Sequence, residues 1–155
     1  MKEIKPITSF TVDHRYVVPG VYVSRVDGSI TTYDLRTRKP NAGDYMDHST
    51  MHSVEHLFAT YVRNSALADR VIYFGPMGCQ TGFYLLLDDV TREEAATLIL
   101  DTLRLCANHV GPMFGESEIE CGNFRSLSTE KAKAECQRFV EIIEKEGMRW
   151  DYPTA

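Results

Sequence analysis

The spacing of apolar residues along the chain predicts several β-strands. Val21 to Val26 is rich in β-branched and aromatic residues, which favours a strand, and Asp27-Gly28 after it is typical of a tight hairpin turn. The return strand is predicted at residues 29–35. Further short strands are predicted at residues 7–14, 71–74 and 83–87.

Three other segments carry apolar residues at helical spacing. The first predicted helix begins near Ser49 or Thr50 and runs to about Asn64, with Val54, Leu57, Phe58 and Tyr61 as its apolar stripe. The second follows a capping box at residues 91–94 and runs to about Asn108. The third runs from Ser128 or Thr129 to about Glu146. Cys106 and Cys136 fall among apolar helix positions and are expected in the core.

The order of these elements predicts an α+β fold. The first strands form a hairpin, and the strands outnumber the crossovers that a parallel sheet would need. We expect a mainly antiparallel sheet with helices packed on one face. Since the chain has 155 residues, residues 1–155 should form a single domain.

The composition narrows the function classes. A hydrophobic content of 43% and a charged content of 25% are ordinary for a globular protein. The net charge is -5 and no basic block is present, which argues against nucleic acid as the main partner. The N-terminus lacks the apolar core of a signal peptide and no apolar run could span a bilayer, so no membrane partner and a cytoplasmic location are expected. In a reducing compartment the four cysteines should be thiols, metal ligands or catalysts rather than disulfides.

The segment His52-Ser53-Val54-Glu55-His56 is the strongest candidate for chemistry. On a helix, His52 and His56 lie one turn apart on one face and could bind a zinc-like divalent ion, which would need a third ligand from elsewhere. Glu55 would then lie beside the metal, where a general base is useful. The alternative is two surface histidines on an ordinary amphipathic helix.

Two cysteines outside the helices are further candidates. Cys121 precedes Gly122 in a loop and would complete a His/His/Cys set with an open fourth position, although a free buried cysteine is an equal alternative. A thiolate ligand would favour Zn²⁺ or Fe²⁺ over Mg²⁺. Cys79 lies in a glycine-rich turn, where a nearby cation such as Arg36 would let its thiol exchange protons. A turn cysteine without chemical use is the commoner case.

Together these motifs resemble the S-ribosylhomocysteine lyase (LuxS) family. The similarity rests on the helix segment His52 to Ala59, on Pro76-Met77-Gly78-Cys79-Gln80-Thr81-Gly82-Phe83-Tyr84, and on Glu120-Cys121-Gly122-Asn123. The segments Ser9 to His14 and Tyr33 to Arg36, with Pro40-Asn41, match as well. These blocks follow the family's order over most of the chain.

The resemblance implies specific roles for residues. It implies a metal site of His52, His56 and Cys121 that holds one Fe²⁺ per subunit, with Zn²⁺ or Co²⁺ as replacements. It implies that Cys79 and Glu55 are the paired acid/base groups and that Arg36 stabilises the Cys79 thiolate. Ser9, His14 and Gly82 are the implied substrate contacts.

The resemblance also implies a reaction and an assembly. Family members cleave the thioether of S-ribosylhomocysteine to homocysteine and the precursor of autoinducer-2, 4,5-dihydroxypentane-2,3-dione, in the methyl cycle and in quorum sensing. They are homodimers with two sites at the interface, so Ser9 and His14 are candidates to serve the neighbouring chain's site. The chain departs from the family at Tyr33 and Thr37, where Phe is common, and at Tyr73-Phe74-Gly75, where Asp-Ile-Ser is common.

Two other functions fit part of the sequence. An inverted-motif metallopeptidase would use a Glu55-like base, but such enzymes are larger and usually take a carboxylate as third ligand. A non-catalytic metal-binding or signalling module would have four protein ligands and no open position. A family member that binds substrate without turnover is a third alternative, because Tyr73 replaces an acidic residue.

Overall fold

A computed structural model of the chain describes residues 2–154. Along it, two strands and a helix are followed by two more strands and two more helices. They are β1 (Gly20–Asp27), β2 (Ile30–Arg36), α1 (His48–Val62), β3 (Val71–Pro76), β4 (Gly82–Asp88), α2 (Arg92–Ala107) and α3 (Thr129–Glu146). Short 3₁₀ helices lie at Thr8–Thr11, Ala68–Arg70 and Phe124–Ser126. Within this described part of the chain, no helix has the length and hydropathy needed to cross a bilayer.

The four strands form one antiparallel sheet in the order β1-β2-β4-β3. Leu35 pairs with Phe83, and both side chains belong to the hydrophobic core with Phe58 of α1 and Phe139 of α3. Because side chains alternate along a strand, Arg36 and its partner position Gly82 belong to the opposite face. The predicted α+β class is confirmed.

Most predicted elements are confirmed within one or two residues. The capping box of α2 forms between Thr91 and Glu94, and Ser128 caps α3 by accepting from the Lys131 N–H. Cys106 and Cys136 are buried in the core. The hairpin between β1 and β2 closes at residues 28–29, where Gly28 has a φ of 61°.

The strand predicted at residues 7–14 is wrong. Thr8–Thr11 is a 3₁₀ helix, and the Thr11 hydroxyl donates to the Thr8 carbonyl at 2.6 Å. Asp13 then accepts from the backbone N–H of Arg15 at 3.1 Å. These local bonds from side chains to the backbone compete with strand pairing, so this segment does not form a strand.

Helix α1 begins earlier than its predicted start at Ser49 or Thr50. Asp47 is the N-cap, and its carboxylate accepts from the Thr50 N–H at 2.7 Å. Lys131 of α3 donates to the same carboxylate at 2.8 Å. This cap fixes the first turn of the helix that carries the histidines.

Ion pairs hold the loop between β2 and α1 against α3. Arg38 contacts Glu135 and Asp44, each at 2.6 Å, and Arg138 contacts Asp44 at 3.4 Å. Glu135 is buried, so its charge depends on Arg38 for compensation. The loop that precedes α1 therefore has a defined position beside the β3–β4 turn, where the Met46 N–H donates to the Gln80 carbonyl at 3.0 Å.

The cap gives a testable stability effect. Asp47→Ala should lower the free energy of unfolding by about 1 kcal/mol, because the Thr50 N–H loses its acceptor, whereas Asp47→Asn should retain most of the stability. Lys131 and the Thr50 N–H hold the pKa of Asp47 well below its usual range. The ionised cap therefore stabilises the fold above that usual range, and this contribution is lost as the pH falls through the lowered value. Urea unfolding of the three proteins at neutral and acidic pH measures both effects, and equal stability of Asp47→Ala and the parent at neutral pH would contradict them.

Candidate functional site

His52, His56 and Cys121 lie together, as the sequence predicts. Their ligand atoms all lie within 4.8 Å of one another, and His52 Nε2 is 3.4 Å from Cys121 Sγ. All three side chains are partly buried. The cluster joins α1 to the loop that precedes α3.

Hydrogen bonds orient both imidazoles toward this cluster. His56 Nδ1 lies 2.8 Å from the Phe114 carbonyl, which only accepts, so Nδ1 carries the hydrogen and Nε2 keeps its lone pair. The Ser126 hydroxyl donates to the Asn123 carbonyl at 3.2 Å and can therefore accept from His52 Nδ1. Both rings are thus held in the tautomer in which Nε2 binds a metal ion.

The segments that supply these partners are attached to α1. The Ser49 hydroxyl donates to the Ser126 carbonyl, and Ser53 accepts from the Ser128 N–H at 2.7 Å. Gly115 packs against His56 with a φ of 69°, and a Cβ there would lie 3.1 Å from Nδ1. The Asn123 N–H is 3.4 Å from Cys121 Sγ and donates to that sulfur. The sequence analysis missed Ser126 and the Phe114 carbonyl, because no short-range pattern connects them to the histidines.

This donor set suits a borderline divalent metal. Two imidazoles and one thiolate are typical ligands of Zn²⁺ and Fe²⁺, and three protein ligands leave one position open, as in catalytic sites. Metal-binding histidines usually form a hydrogen bond through their other ring nitrogen, and His52 and His56 do so with Ser126 and the Phe114 carbonyl.

Glu55 lies on α1 beside this cluster and is half-buried. Burial raises the pKa of Glu55, although His56 and His48 oppose the rise. A carboxyl group with a raised pKa is better suited to proton transfer near neutral pH. His48, which the sequence analysis did not single out, is one turn before His52, with ring centroids 5.6 Å apart.

Cys79 and Arg36 form a second group on the turn between β3 and β4. Cys79 is exposed, and its sulfur lies 3.8 Å from Arg36 Nη1 and 3.0 Å from Thr81 Oγ1. Arg36 is buried and forms a two-point ion pair with the fully buried Asp34, at 2.6 and 3.1 Å. Burial acts to lower the pKa of Arg36, but the Asp34 carboxylate outweighs it, so the pKa is raised and the cation is retained.

The three residues predicted to contact substrate do not lie in one cavity. His14 lines a cavity of about 100 Å³ together with Arg36, Cys79 and Thr81. Ser9 lines a different cavity, of about 190 Å³, beside Tyr84. Gly82 is required by close packing, because a Cβ there would lie 2.7 Å from the Leu35 carbonyl oxygen.

The cavity at Cys79 is separate from the histidine cluster. Its lining consists of His14, Arg36, Pro40, Asn41, Tyr45, Cys79 and Thr81, so neither Glu55 nor the candidate metal ligands line it. The sequence analysis also missed Asp34 and Thr81. Both could have been found from the sequence. Asp34 is two residues before Arg36 and shares its strand face, and Thr81 is two residues after Cys79.

Comparison with known proteins identifies the family. The sequence model described as S-Ribosylhomocysteinase (LuxS) matches residues 7–149. The chain belongs to this family.

Its relatives agree over nearly the whole chain. A protein named S-ribosylhomocysteine lyase from Desulfotalea psychrophila is 44% identical over 148 residues, which cover 91% of this chain and 93% of the relative. Those of the same name from Finegoldia magna and Phocaeicola vulgatus are 41% and 38% identical, covering 88% and 91% of this chain and 90% and 92% of the relatives. The resemblance inferred from the motifs, and with it the prediction of a carbon–sulfur lyase family, is confirmed.

The candidate metal ligands can be tested by substitution. Cys121→Ala should lose most of its affinity for Zn²⁺, because a thiolate and the third protein ligand are removed together. Cys79→Ala is the matched control and should bind one Zn²⁺ per chain. Competition with a chromophoric chelator measures both affinities, and a Cys121→Ala protein that binds Zn²⁺ like the control would exclude Cys121 as a ligand.

Proposed function

We propose that this LuxS-family protein is an S-ribosylhomocysteine lyase, which cleaves its substrate to homocysteine and 4,5-dihydroxypentane-2,3-dione. The observation that carries the proposal is the convergence of His52, His56 and Cys121 in a chain whose relatives bear that name. Residues 1–155 are proposed as one such domain, acting in autoinducer synthesis and the methyl cycle.

We propose Fe²⁺ as the working metal, one per subunit, with Zn²⁺ or Co²⁺ as replacements. A metal ion bound there would supply a Lewis acid that polarises the sugar carbonyl. The thiolate and imidazole donors support such an ion, and the hydrogen bonds to Ser126 and Phe114 would keep His52 and His56 in position to bind it.

The protein's own residues would move the protons. Cys79 and Glu55 would shuttle protons between adjacent sugar carbons through enediolate forms, so that the carbonyl migrates from C1 to C3. Glu55 would then remove the C4 proton, and homocysteine would leave from C5 by β-elimination. Arg36 supports this assignment, because its retained positive charge lies beside the Cys79 sulfur.

A homodimer would bring the two groups together. Cys79 is exposed, and its cavity does not include Glu55 or the metal ligands of its own chain. From the family resemblance, His14 is a candidate to serve the neighbouring chain's site, and it shares that cavity with Arg36 and Cys79. We therefore propose that His14, Arg36 and Cys79 of one subunit face the metal cluster and Glu55 of the other, and that Ser9 contributes from the same side as His14.

The reaction is tested by thiol release. The iron- or cobalt-loaded protein, incubated anaerobically with S-ribosylhomocysteine, should release free homocysteine, and a chelated sample should not. Cys79→Ala and Glu55→Ala should each lower turnover by about 10²- to 10⁴-fold, because each lacks a proton-transferring group. Both should retain the metal. A folded, metal-loaded parent that releases no homocysteine would exclude the lyase and favour a binding role.

The shared site is tested by mixing two inactive variants. Cys79→Ala keeps the metal cluster, and His52→Ala keeps Cys79. If each site uses both chains, random exchange makes about half of the dimers mixed, and each mixed dimer has one complete site of two, so about a quarter of the parent rate should return. Cys79→Ala mixed with Cys79→Ala/His52→Ala is the control, because none of its dimers has a complete site. No recovery in mixtures shown to exchange subunits would place both groups of a site in one chain.

A further inference from the structure

A chain of hydrogen bonds runs from the C-terminal segment to Cys79. The Tyr152 hydroxyl donates to Asp34 Oδ2 at 2.7 Å, and Asp34 binds Arg36 through both carboxylate oxygens. Arg36 Nη1 donates to Thr81 Oγ1 at 2.8 Å, and Thr81 Oγ1 lies 3.0 Å from the Cys79 sulfur. The middle residues of this hydrogen-bond chain are shielded from solvent, since Asp34, Arg36 and Thr81 have relative exposures of 0%, 3% and 1%.

The direction of each bond follows from the donors available. A guanidinium group can only donate, so Thr81 Oγ1 must accept from Arg36. The hydroxyl hydrogen of Thr81 is then free for Cys79 Sγ, the atom 3.0 Å away. A Cys79 thiolate has no hydrogen to donate, so Thr81 is then the donor in this bond, and a donated hydrogen bond favours the thiolate over the thiol.

At the other end, Tyr152 is held as a donor. Its ring stacks on Tyr22 with centroids 4.8 Å apart, and the backbone before it is bound to β1, where the Val23 N–H donates to the Trp150 carbonyl at 2.8 Å. Burial and the Asp34 charge raise the pKa of Tyr152, so the hydroxyl keeps its hydrogen. Asp34 consequently shares its negative charge between two donors.

We propose that Tyr152 is a positioning residue for Cys79, and that it acts through Asp34, Arg36 and the hydroxyl that Thr81 donates to the sulfur. The Tyr152 bond to Asp34 limits how far the carboxylate neutralises Arg36, and the two-point ion pair aims Arg36 Nη1 at Thr81. The inference rests on the proposed role of Cys79 in the lyase reaction. It adds Thr81 and a C-terminal residue to the groups that prepare the thiolate.

Other titratable groups also face Cys79. His14 from the N-terminal segment and Tyr45 from the loop after β2 line its cavity. Burial, the Asp34 carboxylate and Cys79 together raise the pKa of Tyr84 on β4. All three remain unchanged in the variants below, so differences between the variants report on the chain from Tyr152 to Thr81.

The test is the pH dependence of Cys79 alkylation in the metal-loaded protein without substrate. Iodoacetamide labelling is followed at Cys79 by peptide mass spectrometry, which separates it from the partly exposed Cys121, while Cys106 and Cys136 are buried. Thr81→Val should move the midpoint of the rate profile upward by about one pH unit, since a hydrogen bond to a charged group is lost. Thr81→Ser keeps a hydroxyl and should restore the parent profile.

Tyr152→Phe should move the same midpoint upward by about half a pH unit, because the effect is transmitted through Asp34 and Arg36. Tyr22→Phe is the matched control: it removes a hydroxyl from the other ring of the stack, and that hydroxyl donates to the Val18 carbonyl instead. It should leave the midpoint unchanged. Thermal unfolding of each variant verifies the fold.

Three outcomes would overturn the proposal. They are a Tyr152→Phe profile that superimposes on the parent, a Tyr22→Phe shift as large as that of Tyr152→Phe, and a Thr81→Ser profile like that of Thr81→Val. Homocysteine release is measured separately on the same proteins. Failure of the proposed function would appear as an inactive parent with an intact alkylation series, which distinguishes it from failure of this inference.

Discussion

Helix α1 is exposed to two environments at once, and the fold and the candidate metal site both depend on it. Val54, Leu57 and Phe58 are buried against the sheet and the other helices, and this apolar stripe fixes the rotation of the helix about its axis. That rotation leaves His52 and His56 on the flank that faces the Cys121 loop. The hydrophobic stripe therefore determines where the imidazoles point, before any metal ion contributes.

The candidate metal ligands and the Cys79 group depend on opposite sides of the sheet. On the helical side, loop segments contact α1 and orient the imidazoles of His52 and His56. On the opposite side, an ion pair between Asp34 and Arg36 is buried, which is favourable only when its remaining hydrogen-bonding capacity is used. Tyr152 and Thr81 use that capacity, so the segment after α3 contributes to the environment of a side chain on the β3–β4 turn. The cation is thereby kept at a fixed distance from an exposed sulfur.

Local periodicity made much of this predictable from the sequence. The hairpin, the capping box of α2 and the relation of the apolar stripe to His52 and His56 all depend on residues within a few positions of one another. Asp47 was missed as the cap because Ser49 and Thr50 are also good capping residues, and the position of Lys131 on α3 is not visible in the sequence. Ser126, the Phe114 carbonyl and Tyr152 were missed for a related reason, since each reaches its partner only through the path of a loop or the C-terminal segment.

The conformations of Tyr73 and Gly75 on β3 depend on each other. Tyr73 is 50% exposed on β3, and its hydroxyl lies across Gly75, where a Cβ would be only 2.0 Å away. Any side chain at position 75 would force the Tyr73 ring to turn away from the strand. Gly75 and Tyr73 therefore act as one unit, in which the absence of a side chain at one position makes room for the ring at the other. An acidic side chain at position 73 would be shorter than this ring and would carry a charge, so Tyr73 gives this edge strand a bulkier and uncharged surface.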